Sequence, residues 1–177
     1  MNRRVRNGLV IVLMSVGTLI GAAESLRIVP IVRDDQVVVS FQLSDVFNEQ
    51  VREAIGSGLR TTFTYDVELR MVVPAWVDRT VATAVVSASD QYDNLTRRHL
   101  LSRTIDGRVV DALVTDDEAV VRTWLTELTR VPLVHTSRLD PRREYYVRVA
   151  ARTRPNGASI LGWTTAVSGQ ARFTFIP

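Results

Sequence analysis

From Thr62 to Met71 the chain reads TFTYDVELRM, with polar and apolar residues taking turns without a lapse. A period of two is incompatible with a helix. Successive side chains of a strand point to opposite faces, so Phe63, Tyr65, Val67, Leu69 and Met71 make one apolar face. Thr62, Thr64, Asp66, Glu68 and Arg70 make the opposite, wet face. A strand wet on one side belongs to an antiparallel sheet whose other side is covered. Two further runs repeat the pattern: QVVVSFQL (36–43), with Val37, Val39, Phe41 and Leu43 inward, and YYVRVAAR (145–152). In the latter Tyr145, Val147, Val149 and Ala151 oppose Tyr146, Arg148, Ala150 and Arg152, which are expected to face water. Several one-sided strands need a second layer to cover them, which favours packed sheets over a βαβ alternation.

The remaining punctuation fills in the order. LRIVPIV (26–32) forms a hairpin with QVVVSFQL through Arg33-Asp34-Asp35, and Pro30 assigns the first strand to a sheet edge or a bulge. TVATAVVSASDQYD (80–93) is a second long strand expected to pair with the first. The turn Asn94-Leu95-Thr96, the strand RRHLLSRTI, the breaker Asp106-Gly107 and RVVDALV follow. Two segments switch to helical spacing. In SDVFNEQVREAIGSG, Phe47, Val51 and Ile55 share a face beside Ala54; Ser44 or Asp45 is the expected cap, and Gly56 and Gly58 the stop. In TDDEAVVRTWLTELTR, Thr115 and Glu118 are spaced as a capping box, and Val120, Val121, Trp124, Leu125 and Leu128 make the stripe. The triplet Asp116-Asp117-Glu118 reads as acids complementing a helix N-terminus rather than as metal ligands. RPNG (154–157) is expected as the last hairpin turn and QARFTFIP as a terminal strand. The expected class is mainly β: an immunoglobulin-like antiparallel β-sandwich of seven or eight strands with two added short helices. An α+β arrangement with an antiparallel sheet is the alternative.

The first 23 residues read as a targeting segment. Arg3, Arg4 and Arg6 precede an uncharged, largely apolar run from Gly8 to Gly21, and Gly21-Ala22-Ala23 offers small residues for cleavage before Glu24. An uncleaved N-terminal anchor is the rival reading, and residues 24–177 are expected to form a single domain. Of the 22 basic residues three lie in this segment and none of the 19 acidic ones does, so residues 24–177 are formally neutral. Nucleic acid is therefore not an expected partner, since binding phosphates takes a basic excess.

Chemistry is constrained by what the chain lacks. It has no Cys, and every basic residue is Arg. Cysteine nucleophiles, lysine Schiff bases, thiolate metal sites and a P-loop lysine are all excluded. His99, expected in a strand, and His135, expected in a loop, have no zinc-binding spacing. Ser57 and Ser168 lie in turn-like contexts without a Gly-x-Ser-x-Gly elbow. No catalytic residue, metal or cofactor is expected. The candidate partner contact is the break between the two long strands, where Trp76, Asp78 and Arg79 stand together in PAWVDR.

Two resemblances add to this. Leu139, Pro141 and Tyr145, followed by Val147, Val149 and Ala151, resemble the tyrosine corner of fibronectin type III and other immunoglobulin-like sandwiches. That resemblance implies a tyrosine hydroxyl bonded back to the chain just upstream. Over nearly the whole of the chain after the targeting segment, the blocks VSFQLSDVFNEQVREAIGSGLRTTFTYDVEL, WVDR, YDNLTRRHLLSR and LDPRREYYVRV are similar to a bacterial family of exported or membrane-anchored proteins, domain of unknown function 4390. It implies export, one domain of this length, no established activity, and genes often set near a nitrogen-type membrane sensor kinase. The expected function is thus a non-enzymatic, periplasm-facing domain that binds an envelope or membrane protein, touching the membrane only through an uncleaved N-terminus. The alternative is a small-molecule-binding domain or a weak hydrolase using carboxylates and His99. A polar-lined pocket between sheet and helix would favour the alternative, and an exposed apolar patch the first.

Overall fold

The computed structural model describes residues 26–155 and 166–174, so the expected targeting segment and the second half of RPNG lie outside the described residues. Arg154 and Pro155 end a strand rather than open a turn, and the last strand starts at Ala166, ahead of Gln170. The described chain runs β1 (Leu26–Arg33), β2 (Gln36–Leu43), helix α1 (Glu49–Gly56), β3 (Thr61–Met71), β4 (Arg79–Asp93), β5 (Arg98–Ile105) and β6 (Arg108–Thr115). Helix α2 (Glu118–Thr126), β7 (Glu127–His135), a short 3₁₀ turn (Thr136–Arg138), β8 (Glu144–Pro155) and β9 (Ala166–Thr174) complete it. Every strand pair is antiparallel. A three-stranded sheet, β1-β2-β7, faces a six-stranded sheet, β6-β5-β4-β3-β8-β9. The fold is a mainly β sandwich, and the pairing β1-β2-β7 against β4-β3-β8-β9 follows the strand order of immunoglobulin-type domains. The described strands number nine rather than the expected seven or eight, because β5 and β6 widen one sheet.

Alternation decides which face each strand buries. Phe63, Tyr65, Val67 and Leu69 of β3 are buried, as are Val37, Val39, Phe41 and Leu43 of β2 and Val147, Val149 and Ala151 of β8. Asp34 and Asp35 both take positive φ, making the tight two-residue turn that joins twisted antiparallel strands. Pro30 sits on β1, an edge strand, where a missing N–H costs no interior ladder bond. Where β1 crosses β9, a Cβ at Gly169 would come within 3.3 Å of Ile28 Cδ1, so glycine permits the two sheets to close there.

Both helices start later than their patterns suggest. Asn48 caps α1, its side chain accepting from Val51 N–H at 3.1 Å, while Asp45 lies in a left-handed turn upstream. Asp117 caps α2, accepting from Ala119 N–H at 2.7 Å, and Thr115 instead accepts from Asp117 N–H. In each case the side chain nearest the first free amides wins over one farther out. The apolar stripe also overran its element. Leu128 belongs to β7, where it pairs with Phe41, and His135 ends that same strand. Helix α2 stops where side chains from the six-stranded sheet take the carbonyls at its end and at the start of β7. Tyr65 donates to Leu125 O at 2.6 Å, and Arg103 donates to Trp124 O and Glu127 O at 2.8 Å each while stacking on Trp124. A cation at a helix C-terminus complements its dipole.

Candidate functional site

The break between β3 and β4 is a hydrogen-bonded loop built around Asp78. Its carboxylate accepts from Val73 N–H at 3.2 Å and from the Tyr146 hydroxyl at 2.9 Å, and its carbonyl accepts from Arg70 at 3.0 Å. Trp76 N–H donates to Val73 O, and Ala75 takes a positive φ. Those two oxygen contacts, the hydroxyl's first, hold the Asp78 carboxyl below its ordinary range. Tyr146, expected on the wet face, is buried, because the loop folds over it and supplies the partner for its hydroxyl. The indole of Trp76 is 82% exposed and Val77 is 75% exposed. Of the three candidate contacts, Trp76 and Arg79 face solvent and Asp78 serves the loop itself. Arg79 also borders a hollow of about 520 Å³ with Arg138, Arg143 and Asp140.

Leu139, Pro141 and Tyr145 stand at the same end. Leu139 and Tyr145 are buried, and the Tyr145 hydroxyl accepts from Asp140 N–H at 2.8 Å and donates to Asp140 O at 3.3 Å. This ties the segment before β8 to the start of that strand.

A second feature, at the opposite end, was only half visible beforehand. Between α1, the start of α2 and the β4–β5 turn lies a cleft of about 460 Å³, with Phe47, Ile55 and Val121 as apolar wall and Tyr92 and His99 among its lining. His99 Nδ1 lies 2.8 Å from Asp90 Oδ2, and the rings of His99 and Tyr92 are 4.7 Å apart. Asp90 is fully buried (0% exposed), and its Oδ1 has no hydrogen-bond partner among the described residues. Burial pushes the Asp90 carboxyl above its ordinary range, although His99 pulls the other way. Arg97 and Asp116 are exposed on the cleft's rim. Arg52 is tied to Glu49 at 3.1 Å and to Glu118 at 2.8 Å, joining the two helices across the opening. Asp90 escaped the sequence reading although a signal was present. The inward series of β4 is Ala84, Val86, Ala88 and then Asp90, so a carboxylate falls in an apolar register.

Among the described residues no group of three or more His, Asp or Glu is placed to hold a metal ion. None of the described helices is long and apolar enough to cross a membrane.

These features define an antiparallel β-sandwich domain with a fixed aromatic loop at one end and a helix-covered cleft at the other. The chain belongs to the family described as Domain of unknown function (DUF4390), whose model matches residues 22–157. No curated protein and no solved structure matches the chain.

Proposed function

We propose that the chain is an exported, non-enzymatic domain of the cell envelope that binds another protein through the loop carrying Trp76, with Arg79 beside it. The observation that carries this reading is an indole 82% exposed on a loop whose backbone is held by the bonds around Asp78. A preordered aromatic loses little freedom on docking, and large aromatics anchor protein interfaces. The neighbouring Arg79, Arg138 and Arg143 add positive charge that favours an acidic partner surface. Leu26, where β1 begins, lies at the far end of the sandwich from this loop, since Leu26 pairs with Leu43 while Asp34-Asp35 and Thr136 meet near the loop's end. The favoured partners are a membrane sensor kinase or an envelope-assembly protein. The test is photocrosslinking from position 77 in native envelopes, with and without Trp76→Ala. A discrete adduct that disappears in the variant, while its melting temperature holds, supports the reading; an adduct pattern indifferent to Trp76 refutes it.

A further inference from the structure

We infer that the cleft lined by Tyr92 and His99 is a binding site for a small zwitterionic, amphipathic molecule of amino-acid to dipeptide size. This goes beyond the partner-binding loop and involves none of its residues. The argument starts from a cost. Position 90 continues the inward register of Ala84, Val86 and Ala88, opposite Thr61 and Leu101, where an apolar side chain would satisfy the sandwich. A fully buried carboxylate there, with one oxygen unpartnered, is not explained by packing, and the side chain that answers it is the His99 ring, with the Gln91 backbone N–H beside it. Such a contact fixes the imidazole's orientation, with Nδ1 toward the carboxyl group and Nε2 turned away from it. The ring so held lines an opening of about 460 Å³, within the range of small-molecule sites.

The lining defines the class of ligand. Phe47, Ile55 and Val121 offer an apolar wall. The rim carries opposite charges, Arg97 from the β4–β5 turn and Asp116 from the β6–α2 junction, and both side chains are exposed. Arg52 and Glu118 largely neutralise each other, so the two rim charges set the polarity. A ligand with one carboxylate, one ammonium and an apolar side chain meets all three features, whereas a purely anionic or purely cationic one opposes half of the rim.

The test compares two probes of equal apolar bulk, the unblocked dipeptide Leu-Phe and its N-acetylated, C-amidated form, titrated into the full chain. Binding is read by calorimetry and by the ring nitrogen resonances of His99. Saturable binding of the unblocked dipeptide that shifts the His99 resonances, and that weakens about tenfold in the capped probe and in Arg97→Gln or Asp116→Asn, supports the site. Both variants alter exposed side chains, so a folding failure does not confound them. Equal binding of the two probes reduces the cleft to an apolar hollow and overturns the zwitterion assignment. Absence of saturable binding by either probe, or binding that leaves His99 unmoved, overturns the site.

Discussion

Tyr65→Phe and Tyr145→Phe remove the same atom, a phenolic oxygen, from two fully or nearly buried rings, yet the structure assigns them different costs. The Tyr65 hydroxyl donates to Leu125 O at 2.6 Å, and both residues are wholly buried, so no water can replace the lost donor. A buried carbonyl stripped of its partner costs about 2–3 kcal/mol. The Tyr145 hydroxyl serves the backbone of Asp140, which lies on an exposed loop, and water can take over both of its bonds. The expected cost there is about 0.5–1.5 kcal/mol. For a chain of this size each kcal/mol moves the melting temperature by roughly 2–4 °C, so Tyr65→Phe should melt roughly 4–12 °C lower and Tyr145→Phe roughly 1–6 °C lower. Thermal and urea unfolding followed by far-ultraviolet circular dichroism and by tryptophan fluorescence, with a check that both probes give one transition, measures the pair. A loss in Tyr145→Phe equal to or larger than that in Tyr65→Phe refutes the solvent-access argument and makes the loop before β8 the main brace of the fold.

Two further outcomes can be checked. The depressed Asp78 carboxyl contributes stability that is present above its ordinary value of 3.8 and lost as pH falls through the lower folded value. In Tyr146→Phe the Asp78 titration, followed by carboxyl carbon resonances, should move back up toward that ordinary value; an unmoved midpoint would show that the hydroxyl does not hold the loop. On the outer face Arg152 pairs with Asp66, and Glu68 stands opposite Arg148 in the register of β3 and β8. A double-mutant cycle between Asp66 and Arg152 should return only about 0.2–1 kcal/mol, because the pair is half exposed; a coupling several times larger would mean the sheet depends on it.

What the sequence revealed followed from period and chemistry acting locally. Alternation put Phe63, Tyr65, Val147 and Val149 on the buried face, and strand propensity with turn residues placed the β1–β2 hairpin and the β3–β4 pair correctly. The errors arose where a long-range contact overrode a local rule. Leu128 continued a helical stripe until Tyr65 and Arg103, distant in sequence, captured the carbonyls that end α2. Tyr146 followed the wet register of β8 until a loop 68 residues earlier in the chain folded onto it. Asp90 lay in plain view in an apolar register, but its meaning depended on His99 arriving from the neighbouring strand. The loop holding Trp76 was legible as a break, while its rigidity was not, since that comes from Arg70, Asp78 and Tyr146 meeting in space.

The cleft owes its existence to a mismatch of widths. A three-stranded sheet can cover only part of a six-stranded one, so the inner face of β4 and β5 would be left wet. Helices α1 and α2 close that gap, burying Phe47, Val51, Ile55, Val121, Trp124 and Leu125, and the cleft is the seam where the two helices meet the end of the sheet. They do not reach β6, whose Val109, Val110, Leu113 and Val114 stay exposed on both faces of a free edge. The Trp76 loop sits at the start of β4 and the cleft at its end, separated by a strand of fifteen residues, on the order of 45 Å. β3 holds β4 from Arg79 to Asp90 and β5 holds it from Val86 to Asp93, and no described residue lines both the loop and the cleft. Substitutions at the loop and at the cleft should then add without coupling, and each site can be tested with the other left intact.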